Sequence, residues 1–152
     1  MAMTVVEALG PDAPVTILAS DIDTRVLELA ERGVYAAASR GLSVERLKRH
    51  FLRGSGSREG LIRVRPELQR LLSFRLHNLT DPRWSLGARF DIVFCRNVMI
   101  YFDTATQRRV LERMHAVLRP QGLLVAGHSE SFAFARDLFR LRGKTVYERV
   151  DP

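Results

Sequence analysis

Short apolar runs alternate with amphipathic stretches along this chain, and the alternation limits the fold more than any other feature does. Four runs have the length of strands and are rich in β-branched or aromatic residues: VTILAS (15–20), FRLHNL (74–79), FDIVFC (90–95) and LLVAG (123–127). Strands that alternate with helices indicate an α/β fold with a parallel sheet. VTILAS and FDIVFC are predicted to be buried on both faces of that sheet.

Local signals mark the ends of the first helices. A helix is predicted over 24–32, with Asp23 or Thr24 as its N-cap and Gly33 at its end. A second helix is predicted to begin at Ser43.

The strongest helical pattern covers 104–118. Thr104 and Gln107 have the spacing of a capping box, and one apolar stripe runs along the helix. The Pro-Gln-Gly sequence at 120–122 is predicted to end it. A shorter helix is predicted near 132–138.

The segment from about 52 to 73 differs from the rest of the chain in its composition and residue pattern. A glycine and serine stretch, RGSGSREG, is followed by alternating apolar and basic residues with a Pro-Glu turn signal. The segment is predicted to form a small antiparallel β-subdomain inserted in a single domain over 1–152, a length that suits one domain.

The net charge of +7 is concentrated in one part of the chain. Between residues 40 and 75 there are ten Lys or Arg residues and three acids. Such a block indicates an acidic partner, whether nucleic acid, a membrane surface or an acidic protein segment, or else a solvated arginine-rich face. Aromatic residues are not interleaved with these arginines, which weakens the nucleic-acid interpretation.

Cysteine and hydropathy patterns exclude several classes of protein. The single cysteine, Cys95, lies in an apolar run, so neither a disulfide framework nor a cysteine metal site is predicted. No apolar run approaches the roughly 18 residues that a membrane helix needs. The first residues do not resemble a signal peptide, and a cytoplasmic location is expected.

Polar residues follow three of the predicted strands, where ligands bind in open α/β sheets. Asp21 follows the first run, and an acid in that position can bind ribose hydroxyls, although it can equally cap a helix. Asn78 could face an adenine edge or serve as a turn residue. Arg96 and Asn97 interrupt FDIVFCRNVMIYFD, where an unpaired charge would be costly, so the strand is predicted to end at Cys95 and the pair to face a site.

Four long motifs in order carry a family resemblance. ASDIDTRVLELAERGVY, FLRGSGSREGLIRVRPEL, FDIVFCRNVMIYFD and GLLVAGHSESF together resemble the chemotaxis receptor glutamate O-methyltransferases, the CheR type. The resemblance covers nearly the whole chain. It implies a Rossmann-like domain that uses S-adenosylmethionine, with an inserted β-subdomain.

The resemblance also implies roles for residues at the strand ends. Asp21 would hold the cofactor ribose, Asn78 and Leu79 the adenine side, and Arg96 and Asn97 the cofactor pocket. Tyr101, which on its own would be taken for a core aromatic, would sit beside the reacting methyl group and help to place the substrate carboxylate. Tyr101 and Arg96 are the catalytic residues expected from the resemblance. No metal is implied.

In relatives with a tethering site, the β-subdomain grips the carboxyl-terminal peptide of a receptor. The matching positions here are Arg53, Gly54, Gly56, Gly60 and Arg63. A methyl-accepting chemotaxis receptor is thus the implied partner, reached through its cytoplasmic part, and neither nucleic acid nor membrane insertion is expected.

The chain departs from the family pattern at its amino terminus. In nucleotide-binding units a first strand and a glycine-containing loop precede the ribose acid by about 20 residues, and counting back from Asp21 reaches Met1. The first strand is therefore expected to be missing, with a preceding segment or another chain completing the sheet. An exposed sheet edge favours aggregation or pairing with another chain, so this chain alone is expected to be poorly stable or inactive.

Three other functions stay open on the residues alone. The chain could be a non-catalytic module that binds a receptor peptide, a nucleic-acid-binding protein, or a small-molecule methyltransferase. RNVMIYFD and the inserted sheet count against the last of these.

Overall fold

The computed structural model describes residues 1–37 and 41–151. The chain forms two compact units, Met1–Asn78 and Leu79 to the end of the chain. Each unit has a hydrophobic core of its own. No helix in these described ranges is long and apolar enough to cross a membrane.

The first unit contains four helices and five strands within its described residues. They are α1 (Ala2–Leu9), β1 (Ile17–Asp21), α2 (Thr24–Arg32), β2 (Val34–Ala36), α3 (Val44–His50), β3 (Phe51–Arg53), β4 (Leu61–Val64), α4 (Pro66–Gln69) and β5 (Leu72–Leu76). β1 and β5 form a parallel pair, and β2, β4 and β3 form an antiparallel sheet in that order.

The predicted boundaries of α2 are confirmed. Asp23 rather than Thr24 is the N-cap, and its carboxylate accepts a hydrogen bond of 2.9 Å from the amide of Arg25. The helix ends at Gly33, which has a left-handed backbone.

The prediction that VTILAS is buried on both faces is wrong. β1 begins at Ile17, its residues are half-buried, and Ser20 is exposed. Within the described part of the chain β1 pairs with β5 alone. A strand with one neighbour lacks the cover that makes a strand of a parallel sheet fully buried.

The antiparallel sheet is built from strands at 34–36, 51–53 and 61–64, so one strand comes before the predicted range of 52–73. Ile62 on the central strand is buried. The Pro-Glu turn signal is instead the start of α4, since Pro66 occupies the first turn of that short helix, where a proline is well tolerated.

Glu7 on α1 connects two helices of the first unit. Its carboxylate accepts hydrogen bonds from Arg46 of α3, with Nε at 2.9 Å, and lies 3.0 Å from Nε2 of the buried His50. These bonds satisfy a histidine that would otherwise be an isolated polar group in the interior.

Replacing Glu7 with glutamine is expected to destabilise the first unit at neutral pH. Hydrogen bonds from Arg46 hold the pKa of the Glu7 carboxyl below its ordinary value of about 4.5. A carboxyl with a lowered folded pKa stabilises the fold above its unfolded pKa, and this contribution is lost as the pH falls through the folded value. Urea unfolding should therefore separate Glu7→Gln from the parent at pH 7, and the difference should shrink as the pH is lowered through the folded pKa of Glu7.

Glu28→Gln is the matched control, since Glu28 forms an exposed ion pair with Arg32 on α2. Exposed pairs contribute little to stability. Equal unfolding midpoints for the two variants at pH 7 would contradict the prediction.

The second unit is built around one mixed sheet and one long helix. Its elements are β6 (Phe90–Phe94), α5 (Thr104–Val117), β7 (Leu118–Val125), β8 (Phe139–Gly143) and β9 (Val146–Arg149). The strand order is β6-β7-β9-β8, with β6 and β7 parallel and the other pairs antiparallel. Residues of α5 and β7 are central to the core, among them Val110, Leu111, Met114 and Leu118.

The helix over 104–118 is confirmed apart from its cap. Asp103 caps α5, accepting a 2.7 Å hydrogen bond from the amide of Thr106. The predicted capping box of Thr104 and Gln107 is wrong, because the side-chain amide of Gln107 donates instead to the carbonyls of Met99 and Phe102.

Two other predictions for this unit are also wrong. The helix near 132–138 is only a 3₁₀ turn over Ala133–Ala135. FDIVFC is not buried on both faces, because Ile92 and Phe94 are each about half exposed and β6 pairs only with β7 in the described structure.

Candidate functional site

The chain leaves β6 one residue earlier than predicted, after Phe94. Cys95 is still held to the sheet by a 3.0 Å hydrogen bond from its amide to the carbonyl of Val125, and its side chain is buried. Arg96 and Asn97 follow and are exposed. Asn97 has φ +59°, a left-handed conformation that asparagine tolerates better than most residues. The strand end therefore presents Arg96 and Asn97 to the surface.

Glu130 holds the loop that contains this pair, and sequence reasoning did not identify it. Glu130 is buried, with 7% of the residue exposed, and its carboxylate accepts hydrogen bonds from the amides of Val98 at 3.0 Å, Met99 at 2.8 Å and Gly127. A buried carboxylate needs such donors to replace water. Glu130 is the acidic residue of GHSES, but no local pattern in the sequence indicates its hydrogen bonds to Val98 and Met99.

Gly127 permits the loops after β6 and β7 to approach each other closely. A Cβ added there would lie 2.3 Å from Oδ1 of Asn97 and 2.9 Å from its amide nitrogen. Both distances are shorter than real Cβ contacts allow. Only glycine fits this position without moving Asn97.

Tyr101 ends a 3₁₀ turn that begins at Met99. Met99 is 1% exposed and anchors the turn in the core, whereas Tyr101 is 81% exposed. Tyr101 is therefore not a core aromatic. Its side chain is open to solvent.

Cys95 has no nucleophilic role in this arrangement. Burial, aided by the negative charge of Glu130, raises the pKa of the Cys95 thiol to about 12. The thiolate is the reactive form of cysteine, and at neutral pH it is almost absent here.

Leu79 presents a main-chain group fixed by two side chains. Its carbonyl accepts hydrogen bonds of 3.3 Å from the Trp84 indole and from Arg113 of α5. Two donors on one carbonyl fix the orientation of that peptide group. The role predicted for Leu79 on the adenine side is compatible with a fixed backbone.

Asp21 and Asn78 lie at one edge of the first unit because β1 and β5 are parallel neighbours. Oδ1 of Asp21 accepts a 2.9 Å hydrogen bond from the amide of Asp23, and its carbonyl accepts one from His77. Oδ2 of Asp21 accepts no hydrogen bond within the described ranges. Both Asp21 and Asn78 are half-buried. Asp21 is the last residue of β1, and Asn78 lies two residues beyond the end of β5.

The two arginines predicted to bind a receptor peptide lie on neighbouring strands but on opposite faces of their sheet. Arg63 on β4 is paired with Leu52, while Arg53 on β3 is paired with Ile62. Paired residues share a face, and successive residues alternate between faces. Both arginines are exposed, but a single flat contact cannot engage both side chains.

The glycines of this region shape the turn between β3 and β4. A Cβ on Gly54 would lie 2.1 Å from the Arg58 carbonyl oxygen, so the turn closes tightly over that residue. Gly56 and Gly60 have φ values of +58° and +82°. The positions matched to the peptide site thus define the shape of the turn as well as its surface.

The predicted cofactor-binding and catalytic residues belong to two different units. Asp21 and Asn78 belong to the first unit, and Leu79, Arg96, Asn97 and Tyr101 belong to the second. Among the residues with described positions, no three His, Cys, Asp or Glu side chains are grouped as metal ligands.

Comparison with known proteins agrees with the resemblance. The family model described as CheR methyltransferase, SAM binding domain, matches residues 1–148. The chain is 53% identical to chemotaxis protein methyltransferase 2 of Pseudomonas aeruginosa, over 97% of this chain and 53% of the relative. It is 47% identical to the chemotaxis protein methyltransferase of Escherichia coli, over 97% of this chain and 52% of the relative. The chain spans about half the length of the curated relatives it matches.

Proposed function

The chain belongs to the CheR methyltransferase family, and on that premise we propose that it is the S-adenosylmethionine-binding part of a protein-glutamate O-methyltransferase acting on chemotaxis receptors. The observation that carries the proposal is the family match over residues 1–148. The exposure of Arg96 and Asn97 after β6 also supports it.

The residues at the strand ends suit the cofactor assigned to them. Asp21 would bind the ribose through Oδ2, because Oδ1 is already occupied by the Asp23 amide. As the family resemblance implies, Asn78 and the fixed backbone at Leu79 would contact the adenine, and Arg96 and Asn97 would also contact the cofactor. When bound, S-adenosylmethionine supplies a methyl group on a positively charged sulfur.

The receptor glutamate needs no general base in this chemistry. A glutamate carboxyl has an ordinary pKa of about 4.3, so at neutral pH its oxygen is already ionised and can attack a methyl group directly. What the protein must supply is alignment and exclusion of water, which can contribute on the order of 7 to 11 kcal/mol. Tyr101 would orient the incoming carboxylate, and its exposed ring allows that contact.

Charge would bring the receptor to the first unit. The basic residues between 40 and 75 outnumber the acids by seven, and the methylation region of a receptor carries acidic side chains. Arg53 and Arg63, with Gly54, Gly56 and Gly60, would grip a receptor peptide. Since the arginines occupy opposite faces, the peptide would have to pass around an edge of the sheet or engage one of them alone.

Titration of S-adenosylhomocysteine and of a receptor carboxyl-terminal peptide into this chain tests the proposal. Arg96→Ala should weaken binding of S-adenosylhomocysteine, whereas Arg63→Ala should weaken only peptide binding. Arg119→Ala is the control, because Arg119 forms an exposed ion pair with Asp91. Peptide binding without cofactor binding would favour a non-catalytic receptor module, and the reverse pattern of effects would refute the assigned roles.

A further inference from the structure

We propose that Glu130 is a positioning residue that sets the place of Arg96, Asn97 and Tyr101 through the backbone of the loop between them. The inference rests on the proposed function, because it concerns the same cofactor pocket. Glu130 does not belong to the residues that the resemblance assigned, and its side chain reaches the site only through main-chain amides.

The two carboxylate oxygens of Glu130 accept hydrogen bonds from two different loops. Oε1 accepts from two consecutive amides, those of Val98 and Met99, and Oε2 accepts from Gly127. One carboxylate therefore joins the loop after β6 to the loop after β7. A carboxylate that accepts amide hydrogen bonds forms stronger bonds than a neutral acceptor does.

The amides of Val98 and Met99 lie in the loop between Asn97 and Tyr101. Val98 directly follows Asn97, and Met99 begins the 3₁₀ turn that ends at Tyr101. Further hydrogen bonds run from the Tyr101 amide to the Val98 carbonyl and from the Phe102 amide to the Met99 carbonyl. Fixing the amides of Val98 and Met99 thus fixes both the left-handed residue before them and the turn after them.

A second side chain, that of Gln107, holds the end of the turn that carries Tyr101. Gln107 of α5 donates to the carbonyls of Met99 at 2.9 Å and Phe102 at 3.0 Å. The turn carrying Tyr101 is therefore clamped by Glu130 at its start and by Gln107 at its end. This explains how an 81% exposed side chain is presented from a fixed backbone.

Glutamine cannot reproduce the bonds of Glu130. Its side chain has one oxygen, so it can accept from Val98 and Met99 or from Gly127, but its amide group then faces a donor at the other position. The shape of the residue is kept while its acceptors are halved. Glu130→Gln is consequently a test of positioning that leaves packing intact.

Hydrogen exchange measured by NMR separates this role from general stabilisation. In Glu130→Gln the amides of Val98, Met99 and Gly127 should exchange about tenfold faster than in the parent, while the amide of Leu111 in α5 should be unchanged. The dissociation constant of S-adenosylhomocysteine, measured by calorimetry, should rise by roughly tenfold. Glu112→Gln is the matched control, since Glu112 forms an exposed ion pair with Arg108 in the same unit.

The other possible results distinguish failure of the proposed function from failure of the positioning role of Glu130. If the parent chain does not bind S-adenosylhomocysteine, the proposed function fails, and the exchange comparison still decides whether Glu130 holds the loop. Faster exchange in the loop with unchanged affinity would overturn the link to the pocket. Exchange that rises equally at Leu111, or that matches Glu112→Gln, would overturn the positioning role itself.

Discussion

Replacing Gly127 with alanine is expected to destabilise the second unit by about 1–3 kcal/mol, the usual cost of forcing extra atoms into a close-packed region. The added Cβ would lie 2.3 Å from the side-chain oxygen of Asn97, 2.8 Å from Oε2 of Glu130 and 2.9 Å from the Asn97 amide nitrogen. The side chain of Asn97 can rotate away, but the backbone nitrogen cannot do so without breaking the hydrogen bonds that Glu130 makes to the next two amides.

Thermal unfolding measures the effect, because in a domain of this size each kcal/mol corresponds to about 4–8 °C in the midpoint. Gly143→Ala is the matched control in the same unit, since a Cβ there meets no atom within 4 Å. The control should unfold near the parent's temperature. If Gly127→Ala and Gly143→Ala unfold at the same temperature, the loops after β6 and β7 are not packed as described.

Local signals predicted α2 and α5 well, because particular residues at their ends and along their faces determine the backbone there. Gly33 ends α2 because a left-handed backbone suits glycine, and the apolar stripe of α5 faces the core at Val110, Leu111 and Met114. The cap of α5 was misplaced because Asp103 and Thr104 are adjacent and both are good capping residues. Only the distant carbonyl of Met99, which engages Gln107, decides between them.

The turn signal at 120–122 shows how tertiary pairing changes the meaning of a local motif. The chain passes directly from α5 into β7, and Gln121 has φ +61° within that strand. Pairing with β6 moves from Leu118 to Leu123 while the partner advances only from Phe90 to Ile92. The turn residues therefore form an irregularity in β7 rather than a connection before it.

The candidate site was only partly predictable from the chain itself. Exposure of Arg96 and Asn97 followed from the cost of burying a charge in an apolar run. The roles proposed for Asp21, Asn78 and Leu79 rest on the family resemblance, because strand-end acids and amides have several common uses. Glu130 was missed because its partners Val98 and Met99 lie more than thirty positions away, and no periodic or local pattern marks such a contact.

Removing the carboxylate of Asp21 is expected to have the largest effect on cofactor binding. A hydrogen bond to a charged group is worth about 1.5–3 kcal/mol, so Asp21→Ala should weaken binding of S-adenosylhomocysteine by roughly 10-fold to 150-fold for each hydrogen bond to the ribose that is removed. Calorimetric titration measures it. Asp12→Ala is the control, because Asp12 is an exposed acid in the same unit.

Asp21→Asn separates the two functions of this carboxylate. Oδ1 accepts the Asp23 amide, and asparagine keeps an oxygen for that bond, so the turn into α2 should be preserved. Oδ2, which would face the ribose, becomes a donor instead of a charged acceptor. If the ribose contact is what Asp21 provides, Asp21→Asn should bind about as weakly as Asp21→Ala. Parental affinity in Asp21→Asn would instead mean that Asp21 acts only through the turn, and that the ribose is held by other residues.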